Sequence, residues 1–80
     1  MAKIKIYSTP SCVYCKMARE FFEKHGVEYE DHDVAVNEEA LKEMINKSHQ
    51  MGVPVIDVDG QIFVGFNRSG LEKVLGIKVA

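Results

Sequence analysis

The chain has 80 residues, 46% of them apolar, and its ten basic and twelve acidic side chains leave a net charge of −2. This length predicts one domain, residues 1–80, with a core too small to enclose a deep site, so any site is a shallow groove. The charge balance excludes a nucleic-acid binder, which needs a basic footprint, and no apolar run approaches the roughly 20 residues that span a bilayer.

The N-terminal stretch Met1-Ala2-Lys3-Ile4-Lys5-Ile6 alternates charged and apolar residues and builds no signal-peptide core, so a cytoplasmic protein is expected. Lys3 to Ser8 reads as a first strand, rich in Ile and Tyr. Thr9-Pro10-Ser11 is a turn. From Val13 to His25, Tyr14, Met17, Ala18, Phe21 and Phe22 fall at helical spacing, and Gly26 supplies the stop. Val27 to Val34 alternates again and predicts a second strand.

Asn37 is a good N-cap, and Glu38 and Glu39 follow in the first turn, where the helix dipole favours negative charge. A second helix runs from there to about Ser48. Its Lys42, Glu43 and Lys47 read as a solvated face. Val55–Val58 and Gln61–Val64 are strands joined by Asp59-Gly60, a strong hairpin signal. Ser69 and Glu72 have capping-box spacing and start a third helix, with Leu71, Val74 and Leu75 as its buried stripe and Gly76 as its end. The order is βαβαββα, an α/β chain whose first half forms a parallel unit and whose hairpin adds antiparallel strands.

Cys12-Val13-Tyr14-Cys15 holds the only two cysteines. Residues i and i+3 share a helix face, so the two sulfurs can meet. In a reducing compartment a lone Cys-x-x-Cys between a strand and a helix reads as a redox dithiol. The unpaired N–H groups at the start of the first helix favour negative charge at Cys12, and Lys16 and Arg19 add positive potential. Cys15, one turn in, is expected to be more buried. That asymmetry makes Cys12 the attacking sulfur and Cys15 the resolving one.

Other metal and ligand readings fail on spacing. Structural zinc needs four ligands, and His25, His32 and His49 are too scattered to complete a set; their polar neighbours put them at helix ends and in loops. Counted from Asp57, a calcium loop would want glycine and glutamate where Ile62 and Arg68 stand, so a hairpin turn explains Asp57 and Asp59. No metal site is expected. Gly52-Val53-Pro54 places a proline at the entry to the third strand, where it is tolerated.

As a set, Thr9-Pro10-Ser11-Cys12-Val13-Tyr14-Cys15, Gly52-Val53-Pro54 and Gly65-Phe66 resemble a glutaredoxin of the thioredoxin superfamily, over about Ile4 to Leu75. The resemblance implies a thioredoxin-like fold, a four-stranded mixed sheet with three helices, and a cis Pro54 facing the dithiol. It also implies a thiol–disulfide oxidoreductase, with no prosthetic group and with glutathione as co-substrate. Glutathione would pair with the Val53 backbone beside Pro54, meet Thr9 and Tyr14, and reach Gly65, Phe66, Asn67 and Arg68 with its γ-glutamyl end. Substrates would be disulfide-containing or glutathionylated proteins, and the protein would be a monomer.

Two departures keep a second reductant open. Many members carry lysine where Thr9 stands, and Gly-Gly followed by aspartate where this chain has Gly65-Phe66-Asn67-Arg68. The Gly-Phe pair and Val13 are similar to redoxins that take electrons from thioredoxin reductase and pass them to enzymes such as ribonucleotide reductase. Tyr14 leans toward glutaredoxins proper. A third alternative is an iron–sulfur carrier that ligates a cluster through Cys12 and glutathione; the dithiol favours the oxidoreductase, because ligation needs no resolving cysteine.

Overall fold

The computed structural model describes residues 3–76, so the outermost residues of the expected 1–80 domain lie outside the described residues. Seven elements follow in chain order: β1 (Ile4–Ser8), α1 (Val13–Lys24), β2 (Glu30–Asp33), α2 (Glu38–Ser48), β3 (Val55–Val58), β4 (Gln61–Val64) and α3 (Arg68–Leu75). The βαβαββα order read from the sequence is the order observed. The strands form one mixed sheet, β2-β1-β3-β4, with β1 parallel to β2 and antiparallel to β3, and β3 antiparallel to β4.

Side chains on a strand alternate faces, and that alternation splits the core in two. Ile4 and Ile6 of β1 and Ile56 and Val58 of β3 join Ala18, Phe21 and Phe22 of α1 and Leu71 of α3 on one face. Tyr7 and Val55 turn the other way and pack with Ala40 and Met44 of α2. β1 and β3 are thus covered on both sides. A fully buried Phe22 or Ile56 contributes about 1.5–3 kcal/mol by its removal from water.

Two boundaries differ from the sequence reading by more than one residue, each for a visible reason. β2 begins at Glu30, not Val27, because Val27 closes α1: its N–H donates to Phe22 O at 2.9 Å while the Gly26 N–H donates to Glu23 O at 3.2 Å. That pair of bonds is the Schellman arrangement, with Gly26 at φ +66° as its left-handed residue. Ser69 does not cap α3. Asn67 does, its Oδ1 accepting from Gly70 N–H at 3.0 Å, and Glu72 pairs with Arg68 instead.

Glu43 and Lys47 are not a solvated face of α2 either. Lys47 Nζ lies 2.6 Å from Asp57 Oδ2, 2.9 Å from Glu43 Oε1 and 3.0 Å from the Tyr7 hydroxyl, and that hydroxyl donates to Glu43 at 2.6 Å. The network bolts α2 to β1 and β3. Asp57 keeps its hairpin role as well, accepting from Gly60 N–H at 2.7 Å. No helix among the described residues is long and apolar enough to cross a membrane.

Candidate active site

Three segments converge at one end of the sheet: the turn after β1, the first turn of α1, and the residues before β3. Cys12 is the N-cap of α1, in extended conformation, and its Sγ accepts from the Cys15 N–H at 3.3 Å. A sulfur therefore fills the place where a serine or aspartate oxygen usually satisfies a free N–H of the first turn. No acidic residue stands in that first turn to oppose negative charge on the sulfur.

The two thiols differ in environment. Both are free, Cys12 half-buried and Cys15 fully buried. Burial pushes the Cys15 thiol up to about 12, reinforced by its hydrogen bond with Cys12 and by the charge there; a Thr9 backbone hydrogen bond and Arg19 pull it the other way. Arg19 is not a free cation: its guanidinium reaches Ser8 Oγ at 3.2 Å and Asp31 at 3.4 Å. Lys16 is exposed on the same helix.

The Val53–Pro54 bond is cis, and the Val53 carbonyl accepts from Cys12 Sγ at 3.9 Å. Pro54 is buried, and its own carbonyl accepts from the Gly65 N–H at 2.8 Å, which draws the end of β4 to the same place. Gly65 sits at φ +80°, a conformation glycine adopts without steric cost. Thr9 closes the β1–α1 turn by accepting from Cys12 N–H at 3.3 Å. Val13, Tyr14 and Met17, which follow Cys12 in the chain, and Met51, two residues before Val53, are exposed apolar side chains, at 68%, 62%, 42% and 69%.

Cys12, Cys15, Thr9, Val53, Pro54 and Gly65 are thus linked by direct contacts. Tyr14 stands on the rim. The side chains of Phe66, Asn67 and Arg68 are engaged elsewhere: Phe66 packs edge-on against Phe21 with centroids 5.7 Å apart, and Asn67 caps α3. Arg68 bonds Glu72 at 3.3 Å and lies 6.0 Å from the Phe21 ring centre.

A hollow of about 620 Å³, lined by Ile4, Val27, Tyr29 and Leu75 among others, opens at the opposite end of the sheet from the sulfur. Its lining holds no cysteine, so the thiol chemistry places the site at the dithiol. Among the described residues no three His, Cys, Asp or Glu side chains gather in a metal-binding group. His25 and His49 stand at helix ends, as their neighbours predict. His32 differs: it lies in β2, half-buried and stacked on Tyr7, and its Nε2 is 3.5 Å from Glu30 but not aligned for a hydrogen bond.

Sequence reasoning passed over Gln50. Its carboxamide holds the backbone just before Val53, and only the short spacing Gln50-Met51-Gly52 hints at it.

Comparison with known proteins places this geometry. Residues 4–64 match the family model described as Glutaredoxin. An uncharacterized glutaredoxin-like 8.6 kDa protein in the rubredoxin operon of Clostridium pasteurianum is 43% identical over 72 residues, covering 90% of this chain and 96% of that protein. Glutaredoxin 3 of Escherichia coli K12 is 30% identical, with 94% and 99% of the two chains covered. The glutaredoxin-like protein NrdH of Lactococcus lactis is also 30% identical, with 89% and 97% covered. The crystal structure of the thioredoxin-like protein BC3987 superposes with a TM-score of 0.84 at 27% identity, over 89% of this chain and 97% of that one. The chain belongs to the glutaredoxin family and is a thiol oxidoreductase of thioredoxin-like fold.

Proposed function

We propose that the protein reduces disulfides in other proteins by two-step thiol exchange, with Cys12 as nucleophile and Cys15 as resolving thiol. The observation that carries this reading is the unequal pair: a half-buried sulfur capping a helix, accepting an N–H from a fully buried cysteine. In the first step the Cys12 thiolate attacks one sulfur of the substrate disulfide. A Cys12–substrate disulfide forms, and the other substrate sulfur leaves as a thiolate. In the second, Cys15 gives up its proton and attacks Cys12 Sγ; the Cys12–Cys15 disulfide forms and the substrate leaves reduced.

The order of events follows from what holds the Cys15 proton. Two of the influences raising its affinity come from Cys12, through a hydrogen bond and through charge. Both weaken once Cys12 is bound in the mixed disulfide, while burial remains. The resolving thiol is therefore activated by the first step itself.

The reductant that returns the disulfide to two thiols is glutathione or a flavoprotein reductase. One observation favours the second. Glutathione carries two carboxylates, yet Thr9 is uncharged and Arg68 is occupied by Glu72 and Phe21. The exposed apolar Val13 and Tyr14, next to Cys12 in the chain, suit a protein partner better than a charged tripeptide. The deciding experiment compares the rate at which oxidised protein is reduced by glutathione with the rate given by thioredoxin reductase and NADPH. Rapid reduction by the enzyme and slow reduction by glutathione supports the second reading; the reverse restores glutathione. Failure of reduced protein to cleave any protein disulfide overturns the function.

A further inference from the structure

We propose that Gln50 is a positioning residue for thiol exchange, holding the Val53 backbone in register with the Cys12 sulfur; this deepens the proposed function and rests on it. The Gln50 carboxamide closes on Gly52 from both sides. Its Oε1 accepts from the Gly52 N–H at 2.6 Å, and its Nε2 donates to the Gly52 carbonyl at 2.9 Å. Turning the amide over would set donor against donor and acceptor against acceptor, so the orientation is determined by the backbone it grips.

The clamp is anchored in α2. Ser48 Oγ donates to the Met44 carbonyl at 2.7 Å and lies 3.1 Å from the Gln50 carbonyl. His49, the C-cap, turns the chain through a left-handed conformation at φ 60°. A continuous set of bonds therefore leads from the last turn of α2, through Gln50, to Gly52 and on to Val53, whose carbonyl meets Cys12 Sγ.

The clamp also decides which backbone groups remain for a substrate. Extended peptides bind proteins by pairing with free main-chain N–H and C=O groups. Both groups of Gly52 are already occupied by Gln50, so an incoming chain finds its first open rung at Val53. Holding that rung still aligns the substrate disulfide with the sulfur, and small misplacements of reacting atoms are costly in rate.

Gly52 supports the same inference from another direction. Its φ lies outside the left-handed range, so its backbone does not demand glycine; a Cβ there would instead meet Gln50 Oε1 at 2.7 Å. The glycine makes room for the clamp.

The test uses two substrates: an extended peptide disulfide, and bis(2-hydroxyethyl) disulfide, which has no backbone to align. For Gln50→Ala the ratio of kcat/KM for the peptide to that for the small disulfide falls about five-fold, because the peptide backbone is no longer held in register with the sulfur. Gln50→Glu keeps the acceptor for the Gly52 N–H and recovers part of that ratio. Gly52→Ala lowers the ratio alone but adds nothing in the Gln50→Ala background, since the atom it would strike is gone. If Gln50→Ala lowers the unfolding temperature too far to assay, Gly52→Ala and Gln50→Glu are each compared with the wild type instead, and a fall confined to the peptide supports the role. An equal fall with both substrates overturns the positioning role, as does an alanine at 52 that costs the same with and without Gln50. A wild-type protein inactive on the peptide overturns the function, and the positioning role with it.

Discussion

The Cys15 N–H donates to Cys12 Sγ at 3.3 Å, so the proposed nucleophile is also the N-cap of the helix that carries its partner. The helix start and the chemistry share one hydrogen bond. A thiolate accepts that bond more strongly than a neutral sulfur. Oxidation at Cys12 therefore weakens a cap, and reduction restores it.

Cys12→Ser keeps an oxygen at the cap and removes the thiolate. Its unfolding temperature is expected to match the wild type while all thiol transfer falls to background. Cys12→Ala loses cap and chemistry together and costs about 1 kcal/mol of stability. Cys15→Ser leaves attack intact but removes the internal route out of the mixed disulfide. It is expected to accumulate as a substrate or glutathione adduct, visible by intact mass, and to lose protein-disulfide reduction while still deglutathionylating with excess glutathione. A Cys15→Ser protein that turns over protein disulfides at the wild-type rate refutes the assignment of roles.

Local rules made the site legible, and long-range pairing hid the rest. Cys12, Asn37 and the Asp59-Gly60 turn act through bonds to residues one to three positions away, which a linear reading reaches. The Schellman bonds that delay β2 are equally local. There, Val27 satisfies both a strand pattern and a helix ending, and only the fold selects between them. Ser69 reads as the cap from its spacing to Glu72, and the fold uses Asn67, an equally favourable cap type, instead. Glu43 and Lys47 read as surface because their partners, Tyr7 and Asp57, lie up to 40 positions away. The approach of Val53 to Cys12, 41 positions away, has no local signal either, and only the family resemblance anticipates it.

Thr9→Lys tests whether glutathione lies beside the sulfur. Thr9 is half-exposed, so a new ion pair with a glutathione carboxylate is worth at most about 1 kcal/mol. That predicts roughly a two- to five-fold gain in kcat/KM for a glutathionylated peptide. No gain, with an unaltered rate on protein disulfides, argues that glutathione does not occupy this groove.

Glu43 sets an acid limit on stability. The Tyr7 hydroxyl and then Lys47 hold its carboxyl down to about 2, well below its unfolded value. A depressed carboxyl stabilises the fold above the unfolded value, and that contribution is lost as pH falls from about 4.5 toward 2. The side chain is 42% exposed, so solvent screening brings the effect to about 1 kcal/mol. Glu43→Gln is therefore expected to lower Tm by about 4–8 °C at pH 7. The gap from wild type should narrow steadily in melts taken between pH 4.5 and pH 2.5. A gap that stays constant across that range removes Glu43 from the acid response.

Lys47 and Asp57 bind β3 to α2 through a charge pair at 2.6 Å. Asp57 is buried, so its carboxylate depends on that ammonium; burial draws the Lys47 proton affinity down, but Asp57, Tyr7 and Glu43 together raise it above the usual lysine value. Lys47→Met leaves the carboxylate without its cation and is expected to cost about 3 kcal/mol, the lower end for a broken buried pair because Lys47 is part-exposed. Asp57→Asn keeps an acceptor for the Gly60 N–H and removes the buried charge. In the Lys47→Met background it should recover a large share of the loss, since no unpaired charge remains. Urea melts of the four proteins at pH 7 give the coupling directly. Additive losses would show that the two side chains act separately.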